Sequence, residues 1–299
     1  MLSLHTNSAA LSTQAALNAT QQSLATSQQR LGTGYRINSA MDDAAGLQIA
    51  TRLGAQVSGM SVAMQNTQND TSMLQTGEGA LNEVTTILSR MKDLATQSAD
   101  ASSTTADQTA MQSEYDSLGR ELNNIMKNTN FGGQNLFLKA GDTAGAGAAS
   151  GTFGAANTFQ IGASATETMS FNASTDLNAL DTALGTASTQ YATPAAATPG
   201  TELTAAGGAT TAIGNLNTAI AAVGTLRSDF GAAANSLSHV YNNLQSMSNN
   251  VTAAKGRIMD VDYASESSNM TTQQMLMQSG MAMLKQSNQM SSMVMSLLQ

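Results

Sequence analysis

The chain has 299 residues, a formal net charge of −8, no Cys, no Trp and only 4% aromatic residues. Such an acidic composition lacks the clustered Lys and Arg that bind the phosphate backbone of nucleic acids, so nucleic acid is excluded as a partner. The absence of Cys excludes a disulfide framework. Because bulky aromatic side chains are scarce, narrow seams between helices are favoured over a large layered core.

The first segment, from Met1 to Gln29, contains no Asp, Glu, Lys or Arg. Its leucines recur at close to seven-residue spacing, which predicts an amphipathic helix with an uncharged polar face. Isolated helices are marginal in water, so we expect this one to become ordered against partner helices. The alternative is an ordinary disordered tail, which usually carries charge. Self-association with other copies of the chain explains an uncharged, heptad-spaced helix better, so its leucines are assigned to polymerisation: Leu4, Leu11, Leu17, Leu24 and Leu31.

Three further blocks show the alternating four- and three-residue spacing of a coiled-coil seam. Gly77 and Gly79 are interpreted as the joint between the first and the second block. The blocks consist of Leu53, Val57, Met60, Met64, Thr67, Thr71 and Leu74, then Leu81, Val84, Leu88, Met91 and Ala95, then Met111, Tyr115, Leu118, Leu122 and Ile125.

The middle of the chain, from about 139 to 208, is rich in Gly, Ala, Ser and Thr and holds the only two prolines. Short alternating apolar runs between Phe159 and Phe171 are separated by turn-forming residues, which predicts a β-hairpin. The stretch 176–208 is predicted to be a variable loop. Its Ser and Thr residues are candidates for O-glycosylation if the protein is secreted.

The second half predicts one long helix, because the heptad spacing continues from Ile213 to Ile258 without a phase break. Such a helix must pack on the N-terminal helices that carry the matching stripes. The predicted fold class is therefore mainly α: an elongated, coiled-coil-like bundle of long helices formed by both chain ends, with a small β-hairpin region at the tip.

The C-terminal segment repeats the design of the first one, since Lys285 is the only charged residue between Met270 and Gln299. Its methionines suit packing against several neighbours, although a thioether site for Cu(I) is an alternative. The chain has no run of eighteen apolar residues and no signal-peptide pattern, so we expect no membrane span and no cleaved leader. The residues assigned to polymerisation are Met270, Met277, Met281, Leu284, Met295 and Leu298.

Two local motifs lie on either side of the middle of the chain: the first runs from Arg36 to Gly46, and the second runs from Arg257 to Ala264. Both resemble motifs of bacterial flagellins, and the resemblance covers roughly 1–138 and 210–299. The positions that match the family motifs are Arg36, Ile37, Asn38, Asp42, Asp43, Gly46, Asp260, Asp262 and Tyr263. The chain looks like a short form of flagellin with little or no hypervariable outermost domain.

The resemblance implies an inner domain formed by residues 1–35 and 266–299, and an outer helical domain with a hairpin region formed by 36–175 and 209–265. The residues 176–208 would form the variable loop between them. The implied function is a subunit that polymerises into the flagellar filament for motility, by coupled folding and packing of its terminal helices. The alternative is a hook–filament junction protein of the flagellum.

The same resemblance implies partners and a location. The chain would form a homo-oligomeric helical filament outside the cell, reached by type III export, with an export chaperone on its C-terminal helices and with hook-junction and cap proteins at the filament ends. A vertebrate Toll-like receptor is a further implied partner. The family's receptor epitope matches Leu88, Arg90, Leu94 and Glu114, although Ser89 replaces the usual Gln.

No enzymatic chemistry is indicated, and no catalytic, cofactor-binding or metal-binding residue is predicted. The two histidines, His5 and His239, lie in separate helices without zinc-ligand spacing. The paired carboxylates Asp42 and Asp43 are interpreted as stabilising a helix start, where negative charge meets the positive end of the helix dipole. Calcium binding or acid–base chemistry at such pairs is the alternative reading.

Overall fold

The computed structural model describes residues 7–138, 151–194 and 198–297, with the side chains of 291, 292 and 294–297 left aside. The described part is mainly helical. The helices are α1 (Ser8–Thr33), α2 (Ala44–Ser98), α3 (Thr105–Asn128), α4 (Ser174–Ala187), α5 (Thr189–Ala192), α6 (Gly208–Met259) and α7 (Tyr263–Leu297), with a short 3-10 helix at Thr152–Gly154. The predicted residues Leu4 and Leu298 lie outside the described residues.

In the part of the chain that the structure describes, four short strands form two antiparallel hairpins: β1 (Asn130–Phe131) pairs with β2 (Gln134–Asn135), and β3 (Asn157–Gln160) pairs with β4 (Thr168–Phe171). In the second hairpin Phe159 lies opposite Met169. The predicted hairpin between Phe159 and Phe171 is thereby confirmed, and so is the mainly α fold class with paired helices from both chain ends.

The chain divides into two compact units. The terminal unit comprises Met1–Val57 and Ser248–Gln299, and the central unit comprises Ser58–Met247. The helices α2 and α6 contribute residues to both. The predicted domain limits at residues 35 and 266 remain a prediction.

The core of the central unit is built from the predicted stripes. Leu81, Val84, Leu88 and Met91 of α2 are fully buried. On α6 the same holds for Leu216, Val223, Phe230 and Leu237, so the uninterrupted helix predicted from 213 to 258 is confirmed. Burial of these side chains is worth roughly 1.5–3 kcal/mol each before entropy is counted.

A cluster of phenylalanines lies at the hairpin end of this core. Phe153 is fully buried, and its ring centroid lies 4.6 Å from Phe230, 5.9 Å from Phe137 and 5.9 Å from Phe171. The rings of Phe159 and Phe171 stack at 6.0 Å. These contacts fix the second hairpin and the loop before it on the helices.

The interpretation of Gly77 and Gly79 as a helix joint is wrong, because α2 runs through both without interruption. Gly77 is present for packing: a Cβ added there would lie 2.7 Å from Phe230 Cε2 and 3.1 Å from Phe153 Cε2. At Gly79 an added Cβ would meet nothing within 4 Å.

The prediction of a loop over 176–208 is also wrong for much of that stretch, because α4 and α5 lie within it. Leu177, Leu180 and Leu184 of α4 are buried in the central core. The physical reason is their spacing of three and four residues, which places them on one helical face.

Polar side chains of α3 hold the remainder of this stretch. The Tyr115 hydroxyl donates to the Ala187 carbonyl at 2.6 Å, and the Asn123 amide donates to the Tyr191 carbonyl at 2.8 Å. The backbone N–H of Leu203 donates to Gln112 Oε1 at 2.7 Å. Burial raises the pKa of the Tyr115 hydroxyl, which keeps it protonated as a donor.

Candidate assembly surface

The helices α1 and α7 pack against each other as an antiparallel pair. At one end the Asn7 side-chain amide donates to the Ser287 carbonyl at 3.3 Å, and at the other Arg30 Nη1 lies 3.8 Å from Glu266 Oε2. Between them, a Cβ added at Gly280 would lie 3.4 Å from the side chain of Leu17. The two helices therefore run in opposite directions, and these contacts fix the register between them over most of α1.

The predicted polymerisation residues fall into two groups. Most of them lie along the seam between α1 and α7, where Leu24 is buried and its neighbours in the series are half-buried. Leu11 and Met281, in contrast, are 60% and 51% exposed. The half-buried members of the seam are Leu17, Leu31, Met270, Met277 and Leu284. Met295 lies within α7, and its side chain is among those not described.

A second apolar series on α7 faces solvent. Leu276, Met283 and Met290 are 52%, 62% and 58% exposed and follow one another at seven-residue intervals. Because seven residues are close to two helical turns, these side chains form one stripe beside the seam. Sequence reasoning missed this stripe, although its seven-residue repeat was the available signal.

The surroundings of the stripe carry almost no charge, since Lys285 is the only Asp, Glu, Lys or Arg between 267 and 299. Lys285 itself is exposed. A solvent-facing helix normally depends on charged side chains for solubility. A nearly uncharged helix with an exposed apolar stripe is instead typical of a surface that another protein covers.

The two family-like motifs meet where α1 ends and α7 begins. The backbone N–H of Arg36 donates to the Met259 carbonyl at 2.6 Å, and the N–H of Val261 donates to the Gly34 carbonyl at 3.0 Å. Tyr35 and Asp260 form an antiparallel bridge between these bonds. The Arg36 guanidinium also donates to the Ile258 carbonyl at 3.0 Å. The motif residues therefore link the segment after α1 to the segment between α6 and α7 through backbone hydrogen bonds.

The acidic pair of the first motif organises the turn before α2. Asp42 Oδ2 accepts hydrogen bonds from the backbone N–H groups of Asn38 at 3.0 Å and Ser39 at 2.8 Å. These backbone donors hold the pKa of the Asp42 carboxyl below its usual range. Asp43 Oδ1 accepts from the N–H of Gly46 at 2.8 Å, in the first turn of α2. Asp43 therefore has the predicted role at the start of α2, whereas Asp42 stabilises the turn before the helix.

The packing of Ile37 requires a glycine at position 46. Ile37 is 2% exposed, and a Cβ added at Gly46 would lie 2.8 Å from its Cδ1 atom. A side chain at position 46 would therefore displace a buried residue and the capping carboxylate next to it.

The second motif caps α7. Asp262 Oδ1 accepts from the N–H of Ala264 at 3.0 Å, at the start of the helix. Tyr263 is 57% exposed. Its hydroxyl lies against Gly34, which adopts a φ of 76° and would bring an added Cβ within 3.0 Å of the Tyr263 oxygen.

The four positions that match the family's receptor epitope are not equally accessible. Arg90 and Glu114 form an exposed ion pair with Nη2 and Oε1 2.7 Å apart. Leu88 and Leu94, in contrast, are fully buried in the central core. Of the four residues, only Arg90 and Glu114 expose their side chains to solvent.

Within the described ranges, no group of three or more His, Cys, Asp or Glu side chains has the arrangement of a metal site. His239 is exposed on α6, and His5 lies outside those ranges. No described helix is long and apolar enough to cross a membrane.

Comparisons with known proteins agree with this arrangement at both chain ends. Residues 4–142 match the bacterial flagellin N-terminal helical region, and residues 213–298 match the bacterial flagellin C-terminal helical region. The chain belongs to the bacterial flagellin family. Flagellins are structural proteins rather than enzymes, and they are components of the extracellular flagellar filament.

Individual flagellins show the same relationship. The chain is 42% identical to polar flagellin F of Vibrio parahaemolyticus over 166 residues, which is 56% of this chain and 41% of that protein. It is 42% identical to B-type flagellin of Pseudomonas aeruginosa over 168 residues, which is 56% of this chain and 32% of that protein. The matches thus span less than half the length of these relatives.

Solved structures include a Bacillus cereus flagellin with 31% identity and a TM-score of 0.46, which covers 64% of this chain and 94% of that one. A protein described as flagellar hook-associated, from Vibrio parahaemolyticus, has 17% identity and a TM-score of 0.54, and covers 73% of this chain and 100% of that one. At this identity the second similarity concerns the fold alone.

Proposed function

We propose that this flagellin is a subunit that polymerises into the flagellar filament for motility, and that the surface of α1 and α7 forms the contacts between subunits. The observation that supports the proposal is the exposed stripe of Leu276, Met283 and Met290 on a nearly uncharged helix. Leu11 on α1 and Met281 on α7 extend the exposed apolar surface.

Burial of this surface supplies the driving force. Each of these side chains is roughly half exposed, so covering it removes apolar surface worth about 1 kcal/mol. Several such side chains on each subunit, repeated along a filament, offset the entropy lost on association. Few charges need to be desolvated, which lowers the cost of the contact.

The seam between α1 and α7 has a separate role in the proposal. It presents α7 as a preformed helix through the contacts at Asn7, Leu17 and Arg30. The terminal helices gain further order as neighbouring subunits cover them, so folding and association are coupled.

The other partners follow from the same surface. An export chaperone on the C-terminal helices would cover the apolar stripe before assembly, and cap and hook-junction proteins would meet it at the filament ends. Recognition of the Arg90–Glu114 ion pair by a vertebrate Toll-like receptor is a separate proposal. A receptor-reporter assay with monomer tests it, and the absence of signal would exclude it.

Electron microscopy of the purified chain after addition of short filament seeds tests the function, with a variant that lacks Met281–Gln299 beside it. We expect filaments from the full chain and none from the truncated chain. Circular dichroism of both proteins checks that helices outside the deleted segment remain. Truncated chains that elongate as well as full chains would contradict the proposal. Particles that never elongate in either sample would favour the alternative, a hook–filament junction protein.

A further inference from the structure

Sulfur in this chain occurs only in thioethers. The sequence has 19 methionines and no Cys, and it also lacks Trp. Eight of the methionines lie between Met270 and Met295, within α7. Methionine is therefore the residue most open to mild oxidation, and α7 is where it is concentrated.

Exposure differs widely among the methionines. Five on α7, which we call the outer methionines, face solvent: Met275 is 58% exposed, Met281 51%, Met283 62%, Met290 58% and Met293 63%. The methionines of the central core are closed to solvent, with Met60 at 1% and Met91 at 0%. Because oxidation follows exposure, an oxidant reaches the outer methionines, together with the 97% exposed Met41, before those of the core.

We propose that the outer methionines are a site of reversible oxidation by hydroperoxides, and that their sulfoxides prevent the subunit from joining a filament. This inference rests on the proposed function, because it assigns the outer methionines to the assembly surface. In the reaction with hydrogen peroxide, the O–O bond breaks and one oxygen forms a bond to the thioether sulfur, which loses two electrons. The other oxygen leaves as water with both hydrogens.

The consequence differs between the free subunit and the filament. On the free subunit a sulfoxide oxygen is hydrated, so α7 tolerates it. Between subunits the same oxygen is removed from water, and a buried polar group without a donor is costly. One such sulfoxide on each subunit raises the critical concentration for assembly about tenfold or more.

Assembly in turn protects the outer methionines from oxidation. A filament that already covers the outer methionines shields them from peroxide, whereas a free subunit exposes all five. Oxidation therefore acts on subunits before they are added and leaves existing filaments intact.

The test treats the purified full chain with hydrogen peroxide, maps sulfoxides by peptide mass spectrometry, and measures elongation from seeds. The resistant variant combines Met275→Leu, Met281→Leu, Met283→Leu, Met290→Leu and Met293→Leu, since Leu matches Met in helix propensity and apolar character. The control is Met41→Leu, which removes a methionine that is 97% exposed and lies outside α7.

We expect treated wild type and treated Met41→Leu to require at least about tenfold more protein to elongate, while the resistant variant is unaffected. Incubation with methionine sulfoxide reductases should restore elongation. Wild type that carries sulfoxides at the outer methionines and still elongates normally would overturn the oxidation proposal alone. Loss of elongation by the treated resistant variant would overturn it as well. If untreated wild type never elongates, the proposed function fails and the oxidation proposal fails with it.

Discussion

The same substitution, glycine to alanine, should have opposite effects on stability at two positions of α2, Gly77 and Gly79. At Gly79 an added Cβ meets open space, so Gly79→Ala should stabilise the protein by about 0.5–1 kcal/mol through helix propensity. At Gly77 the added Cβ lies 2.7 Å from Phe230 and 3.1 Å from Phe153. Both rings are buried and cannot withdraw without disturbing the phenylalanine cluster.

The magnitude follows from the difference between the two variants. Both gain the same helix propensity, so that contribution cancels and the overpacking cost at Gly77 remains, which is typically about 1–3 kcal/mol. For a folding unit of this size, that corresponds to a difference in melting temperature of about 2–12 °C.

Thermal and urea unfolding of Gly77→Ala and Gly79→Ala, followed by circular dichroism, provide the measurement. We expect the first variant to melt below the second, with Gly79→Ala at or above wild type. Equal shifts for the two variants would refute the reasoning, because they would mean that the space beside Gly77 is not filled by the rings.

Three further predictions concern single side chains. Phe153→Ala should lower the free energy of unfolding by about 3–5 kcal/mol. Phe131→Ala, which removes a half-buried ring on the edge of the core, should lower it clearly less. Similar urea midpoints for the two variants would contradict this prediction. Burial raises the pKa of Asp70 to about 6, so the folded state disfavours its charged form and this destabilisation disappears as pH falls toward 4. Asp70→Asn should therefore stabilise the protein above pH 6 and have no effect near pH 4; a benefit that does not vary with pH in thermal melts would refute it. Asp262→Ala removes the cap of α7 and should cost about 1 kcal/mol, seen as faster hydrogen exchange in the first turn of α7 but not in α3.

Much of the fold could be predicted because long helices repeat the same information many times. The stripe on α6 recurs from Ile213 to Ile258, so one irregular position such as Arg227 does not obscure it. The second hairpin was predictable for a related reason, since apolar residues alternate between turn-forming residues on both strands.

Local breaks were harder to predict, because tertiary packing outweighs propensity. Glycine usually weakens a helix, and a pair of them suggested a joint, yet the close approach of Phe230 requires the missing side chain at Gly77. On α4 the spacing of Leu177, Leu180 and Leu184 indicated a helix. The surrounding Gly, Ala and Thr, together with the resemblance to short flagellins, favoured a loop instead.

The candidate site was only partly predictable. The motif residues were found, but spacing does not show that Gly34 and Val261, far apart in the sequence, form a backbone hydrogen bond. On α7 two series of apolar residues recur at seven-residue spacing, and periodicity alone does not tell which series packs within the chain. The structure assigns Met277 and Leu284 to the seam with α1 and leaves Met283 and Met290 exposed.

The most direct test of the assembly surface compares the same charge on two sides of α7. Met283→Lys places an ammonium group in the exposed stripe, whereas Gln278→Lys places it seven residues before Lys285, on a side of the helix that already carries a positive charge. Elongation from seeds is measured for both variants against subunit concentration. If the stripe is buried between subunits, Met283→Lys raises the critical concentration at least about tenfold, and Gln278→Lys leaves it nearly unchanged. Equal elongation by the two variants would contradict the account.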